Sequence, residues 1–308
     1  MKTLTKAVSR LLFWPLVFFF SACNGFEQVV EIEIPEHQAA LSIYAHFNSI
    51  DTVLELRVGR SASILDPFDS LLLDQPVSIS LYRNNQLLAH DFICQDGLCT
   101  APMVLPFGSA GDEYRLEVSA PGWETLSAVQ HMPTAPIVKN LEGSIGGAID
   151  PDGNAANALN ITLQDPAGEE NYYAVEAFRF YFEYLYDNTG QIVDSMQIKY
   201  PVSLDSSDPG FSTVYTEDKP LLIGKDALFN GNEYLLRLFT SDYIMEGDQI
   251  LVRVSSITRD AYLFFKSYSA YGDSQYDPFA EPVVVHQNVE NGHGIFSLQN
   301  SLEDLVEF

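Results

Sequence analysis

Basic residues are scarce in this chain. Its 308 residues include 16 Lys plus Arg against 42 Asp plus Glu, a formal charge of −26. That shortage excludes a nucleic-acid footprint, because displacing phosphate counterions needs clustered cations. It also excludes adhesion to an anionic bilayer by charge alone. Long apolar runs are missing too. The longest, Leu11 to Phe20, is half of the roughly 20 residues that a helix needs to cross a bilayer, and it contains Pro15. Catalytic strings are absent as well. The six His fall in no His-Glu-x-x-His spacing, and neither Gly-x-Ser-x-Gly nor Gly-x-x-x-x-Gly-Lys occurs. No metal or cofactor is expected, and the chain is expected not to be an enzyme.

Apolar residues make up 46 %, enough to build cores despite the charge. The opening combines Lys2, Lys6 and Arg10, the short apolar run, and then Ser21-Ala22-Cys23. A basic start, an apolar stretch and small residues before a cleavage point form an export signal. Ending on Cys23, it resembles a bacterial lipobox, so residues 1–22 are expected to leave and Cys23 to be acylated. Two or three acyl chains would hold the protein firmly. Losing the signal removes three basic and no acidic residues, moving the charge from −26 to −29. Residues 23–37 then form a lipidated tether. Its start, Asn24-Gly25-Phe26-Glu27-Gln28, carries one acid, which leaves open which face of the membrane the body occupies.

Cys94 and Cys99 flank Gln-Asp-Gly-Leu. Asp96-Gly97 is a strong turn signal, so the two Cys are expected to face each other across a hairpin with a four-residue loop and to form a disulfide. Such a loop contributes about 2 kcal/mol in the chain-entropy model. Two thiols without a nearby His make a poor zinc site, and the spacing is not that of a redox dithiol.

From Leu41 the pattern alternates with period two, in Leu41–Asn48, Leu54–Val58, Val77–Leu81 and Tyr114–Val118, with turn signals between. This predicts a mainly β protein whose first domain, residues 38–133, is an immunoglobulin-like antiparallel β-sandwich. Pro133-Thr134-Ala135-Pro136 reads as a stiff exit. A second β-rich domain over 137–308 carries strands near Leu159–Leu163, Asn171–Tyr186, Ile192–Tyr200, Glu233–Thr240 and Gln249–Ser255. Ala261, Phe264, Phe265 and Tyr268 at helical spacing predict one amphipathic helix over 259–271, with Thr258 as N-cap and Gly272 as the stop. Phe178, Phe180 and Phe182 are expected to be core beneath that helix. Tyr184 and Tyr186, near the turn, are the candidates for a ligand or partner contact. Asp150-Pro151-Asp152-Gly153-Asn154 offers oxygen ligands but lacks the calcium-loop spacing, so a solvated turn is expected. His293, between Gly292 and Gly294, is expected in a tight turn.

Four segments, in order, carry a family likeness. They are Cys23 with Glu31-Ile32-Glu33-Ile34-Pro35; Val58-Gly59-Arg60-Ser61-Ala62-Ser63-Ile64-Leu65-Asp66; Tyr114 through Trp123; and the end block with Asp277-Pro278-Phe279-Ala280-Glu281-Pro282 and Asn288 through Phe296. Together they resemble the bacterial lipoproteins classed as domain of unknown function 4249, abundant in Bacteroidetes. The resemblance implies an outer-membrane lipoprotein encoded beside a TonB-dependent receptor of the SusC type and working with it as a binding or assembly accessory. It implies no catalytic residue. The alternative is a hydrolase of surface glycans built on a carboxylate pair, which a group of three or more buried acids in one cleft would favour.

Overall fold

Alternation becomes strands wherever a second layer covers one face. The computed structural model describes residues 37–63, 66–67, 71–73, 75–103, 107–216, 219–275 and 279–308. The expected signal peptide and Cys23 lie outside the described residues. The chain divides after Gln38, and every strand, helix and core described below belongs to the unit Ala39–Phe308.

The strands, in order, are β1 (Leu41–Asn48), β2 (Val53–Arg60), β3 (Ser78–Arg83), β4 (Gln86–Ala89), β5 (Ile93–Gln95), β6 (Leu98–Pro102), β7 (Glu113–Ser119), β8 (Leu126–His131), β9 (Ile137–Ile149), β10 (Ala155–Gln164), β11 (Tyr172–Tyr186), β12 (Ile192–Val202), β13 (Asp205–Ser206), β14 (Phe211–Thr216), β15 (Lys219–Lys225), β16 (Glu233–Thr240), β17 (Gln249–Ile257) and β18 (Gly292–Glu307). One α-helix among the described residues, α1 (Arg259–Ser274), precedes β18. The molecule is mainly β, as the alternation predicts.

A ten-stranded sheet runs β14-β15-β11-β17-β18-β1-β2-β6-β5, with β12 added beside β11. Two four-stranded sheets, β4-β3-β7-β8 and β13-β16-β10-β9, complete the fold. Each packs against the same face of the large sheet and encloses its own core. The first core joins Leu41, Ile43 and Phe47 to Leu81, Leu116 and Leu126. The second joins Val175, Val252 and Val254 to Leu159, Ile161 and Leu236. Two separate cores thus lie beneath one shared sheet. That sheet crosses the expected division at 133–137. β18, from the end of the chain, lies parallel to β1, with Ala45 opposite Phe296. Phe296 and Leu298 enter the first core, while Val306 and Phe308 enter the second.

Helix α1 packs on the opposite face of the large sheet. Ala261, Phe264 and Phe265 meet Tyr172, Ile223, Ile257 and Ile295 there. Thr258 caps it, its hydroxyl accepting from the Ala261 N–H. The helix does not stop at Gly272 but continues to Ser274, since one glycine costs only about 1 kcal/mol inside a helix.

Cys94 and Cys99 are bonded, directly opposite each other on β5 and β6. Gln95 and Leu98 also pair, so the loop is only Asp96-Gly97, with φ of 50° and 80°. Both residues sit in the left-handed region that a two-residue hairpin turn demands. Asp150 closes a turn as well. Its carboxylate accepts from the backbone N–H groups of Asp152 and Asn154, which hold its pKa low.

Candidate functional site

Strand β11 is longer than its neighbours. β15 pairs with it only from Tyr172 to Val175, and β17 only to Arg179. Beyond Arg179 it keeps a single partner, β12, out to the pair Tyr186 and Ile192. Residues 180–198 therefore form a two-stranded ribbon with no strand among the described residues on either outer edge. The turn is fixed by Asp187, whose Oδ1 accepts from the N–H and hydroxyl of Thr189 and the N–H of Gln191. Those bonds hold the carboxyl below the ordinary carboxylate range.

The ribbon carries large apolar side chains that are about half exposed or more. Tyr184 is 46 % exposed and Tyr186 58 %, which places both where the sequence puts them. Phe182 is 54 % exposed, against the expectation that it lies in the core. Alternation told which residues share a face, but α1, which lies over Tyr172 and Ala174 on this face, does not extend over Phe182. Phe178 and Phe180 are half-buried. Leu185, Met196 and Tyr181, on the opposite face, are exposed too.

The root of the ribbon is braced by cations. Lys199 Nζ lies 3.9 Å from the centre of the Phe178 ring and the Arg253 guanidinium 5.4 Å from it. Such contacts are worth about 1 kcal/mol each when partly desolvated. Arg253 donates to Glu303 at 2.7 and 2.9 Å and to Glu176 at 3.4 Å. Burial works against the Arg253 charge, but Glu176 and Glu303 keep its pKa raised. Burial, reinforced by the neighbouring Arg253, lowers the pKa of Lys199. Arg179, at the edge of the ribbon, donates to the Tyr243 carbonyl at 2.8 Å and pairs with Asp248 at 3.2 Å. Sequence reading missed this brace. The residues come from five separate segments, and no local spacing marks them.

A cleft of about 370 Å³ lies on the same side of the large sheet as α1, lined by Tyr44, His46, Asp51, Glu55 and Arg57 among others. His46 Nδ1 makes a short hydrogen bond with the Ser297 hydroxyl. A Ser–His contact invites a nucleophile reading, but Ser297 is 2 % exposed, and the shielded His46 Nε2 meets no hydrogen-bond partner. Without access or an orienting carboxylate on the second nitrogen, the pair lacks the geometry of an activated nucleophile. Of the acids in this region, Glu176 and Glu303 pair with Arg253, Glu55 is exposed and Asp51 is half-buried. Burial raises the pKa of Asp51, although the Asn48 N–H and Arg253 pull it down. No three His, Cys, Asp or Glu among the described residues are grouped to hold a metal ion.

His293 lies within β18 opposite Ser42, not in a turn. Its ring Nδ1 is 3.3 Å from Gln287 Oε1. The glycines around it serve close strand approach instead.

Fold and site together define a multi-sheet β protein that holds out an apolar ribbon. The family model described as a domain of unknown function, DUF4249, matches residues 27–304, and the chain belongs to that family. No curated protein matches it. Among solved structures it is similar to a DUF4785 family protein from Legionella pneumophila, at 11 % identity and a TM-score of 0.24, over 70 % of this chain and 52 % of that one. This chain thus spans about half the length of that protein. Collagen adhesin from S. aureus matches at 4 % identity and a TM-score of 0.18, over 86 % and 93 % of the two chains. No helix among the described residues is long and apolar enough to cross a membrane.

Proposed function

We propose that this protein is a non-enzymatic outer-membrane lipoprotein, held through acylated Cys23, that acts as a binding or assembly accessory to a TonB-dependent receptor of the SusC type. The observation that carries the reading is the ribbon. A two-stranded hairpin alone is marginal in water, and a monomer gains nothing by exposing Phe182, Tyr184, Leu185 and Tyr186 together. Aromatic residues of this kind anchor protein interfaces because they bury a large area at small entropic cost. The lipobox-like opening supports the address, and the family resemblance supports the receptor.

The experiment is outer-membrane isolation of the full-length protein in mild detergent. Wild type is expected to bring down the receptor encoded beside it. Cys23→Ser is expected to leave the membrane fraction altogether. A Cys23→Ser variant that stays membrane-bound in detergent-free fractionation would defeat the anchor. Repeated recovery of wild type without the receptor would defeat the accessory role.

A further inference from the structure

We infer that the ribbon is clasped on both of its faces by a basic-rimmed apolar cleft in the partner protein. The partner's identity as the TonB-dependent receptor rests on the function proposed above.

Cross-strand register places side chains on two faces. Phe182, Tyr184 and Tyr186, with Ile192 across from Tyr186, line one. Tyr181, Leu185 and Met196 line the other, Met196 lying opposite Glu183. All seven apolar residues are exposed. Docking flat would cover one set and leave the other in water, forfeiting roughly half of the apolar burial available. A cleft with two walls covers both. The ribbon has the reach for it: seven residues of β11 beyond Arg179 extend about 23 Å at the usual strand rise.

Charge sets the character of the rim. Between residues 180 and 198 there are three acids, Glu183, Asp187 and Asp194, and no Lys or Arg. The cations of the ribbon, Arg179 and Lys199, sit at its root and are already engaged with Asp248 and Glu303. Asp187 lies at the tip, while Glu183 and Asp194 sit across from Met196 and Leu185 on the face that Tyr181 shares, so the complementary cleft sets basic groups beside that apolar wall and at the tip. The same charges speak against other occupants. A second copy of this chain would bring another −26 to the contact, and an anionic bilayer would repel the acidic ribbon.

The test uses the full-length, lipidated protein co-expressed with the neighbouring receptor. A photo-cross-linking amino acid replaces Tyr184 on one face, Leu185 on the other, or Val129, exposed on β8, as the control. Irradiation in membranes is expected to link both ribbon positions to the receptor and the control to nothing. The double variant Glu183→Lys/Asp194→Lys is expected to lower receptor recovery at least tenfold without moving the thermal midpoint. Links from only one face would overturn the clasp, as would links to lipid or to a second copy. Unchanged recovery of the charge-reversed variant would overturn the basic rim. If wild type recovers the receptor but neither ribbon position links to it, the clasp fails and the receptor reading stands. If wild type never recovers the receptor, that reading falls and takes the assigned partner with it.

Discussion

Gly294→Ala is expected to cost about 4 kcal/mol, placing it among the exceptional single substitutions. Gly294 has φ +115°, a region closed to ordinary side chains. A Cβ there would overlap the Ile43 carbonyl oxygen, a backbone atom of β1 with no freedom to move aside. At Gly292 a Cβ would come within 2.6 Å of the Leu41 carbonyl oxygen. These two glycines let the end of the chain lie against its beginning. Through that contact β18 delivers Phe296 to one core and Val306 to the other. Forcing β18 away would loosen both cores at once. Gly153→Ala is the control. Its φ is +89° but nothing lies within 4 Å, so only backbone strain of about 1 kcal/mol is expected. Urea midpoints of the three proteins check this. A Gly294→Ala midpoint equal to that of Gly153→Ala would show that the close approach contributes nothing.

Acid is expected to destabilise the protein through His46. Burial pushes the imidazole down to about 3. An unfolded chain protonates the same ring near 6.5. Between those values the unfolded state binds more protons, so stability is full above about pH 6.5 and falls as pH drops toward 3. Because the residue is only half-buried where it lines the cleft, the full linkage value is discounted and the loss at pH 4 is roughly 2 kcal/mol. Tyr44, Phe264, Phe265 and Ser297 surround the imidazole, and Asp51, Glu55 and Arg57 share its cleft. His46→Gln retains an amide able to bond Ser297 but cannot titrate. It is expected to flatten the stability profile between pH 6.5 and 4.5. Asp260 is one of the carboxyl groups that contribute at lower pH. Burial opposes its charge, yet hydrogen bonds from His286, Gln130 and Asn288 hold its pKa below normal. Its contribution is therefore lost as pH falls through that depressed value. Chemical denaturation across this range would read both effects, and a His46→Gln profile parallel to wild type would contradict the assignment.

Local order was legible where one face meets a core. β1, β2 and β7 follow the alternation of the sequence almost residue for residue, and Thr258 starts the helix as a capping residue should. Strand β9 escaped notice because Gly143, Gly146 and Gly147 interrupt any pattern. The parallel pairing of β1 with β18 could not be read, since no local rule selects a partner from the opposite end of the chain. Tyr184 and Tyr186 were legible as exposed because they flank a turn. Phe182 was not, because alternation says which residues share a face and not whether anything lies above it. The Lys199 and Arg253 brace under Phe178 depends on the same long-range assembly.

The decisive measurement removes the ribbon and nothing else. Residues 182–197 are deleted, and Tyr181 is joined to Ile198, its partner in the ladder, by an Asn-Gly turn. The brace at Phe178, Lys199 and Arg253 stays in place. Receptor recovered per mole of lipidated protein is then compared with wild type. If the ribbon is the docking element, recovery drops at least tenfold while the thermal midpoint of the body stays unchanged. Recovery at the wild-type level from a correctly folded variant would contradict that role.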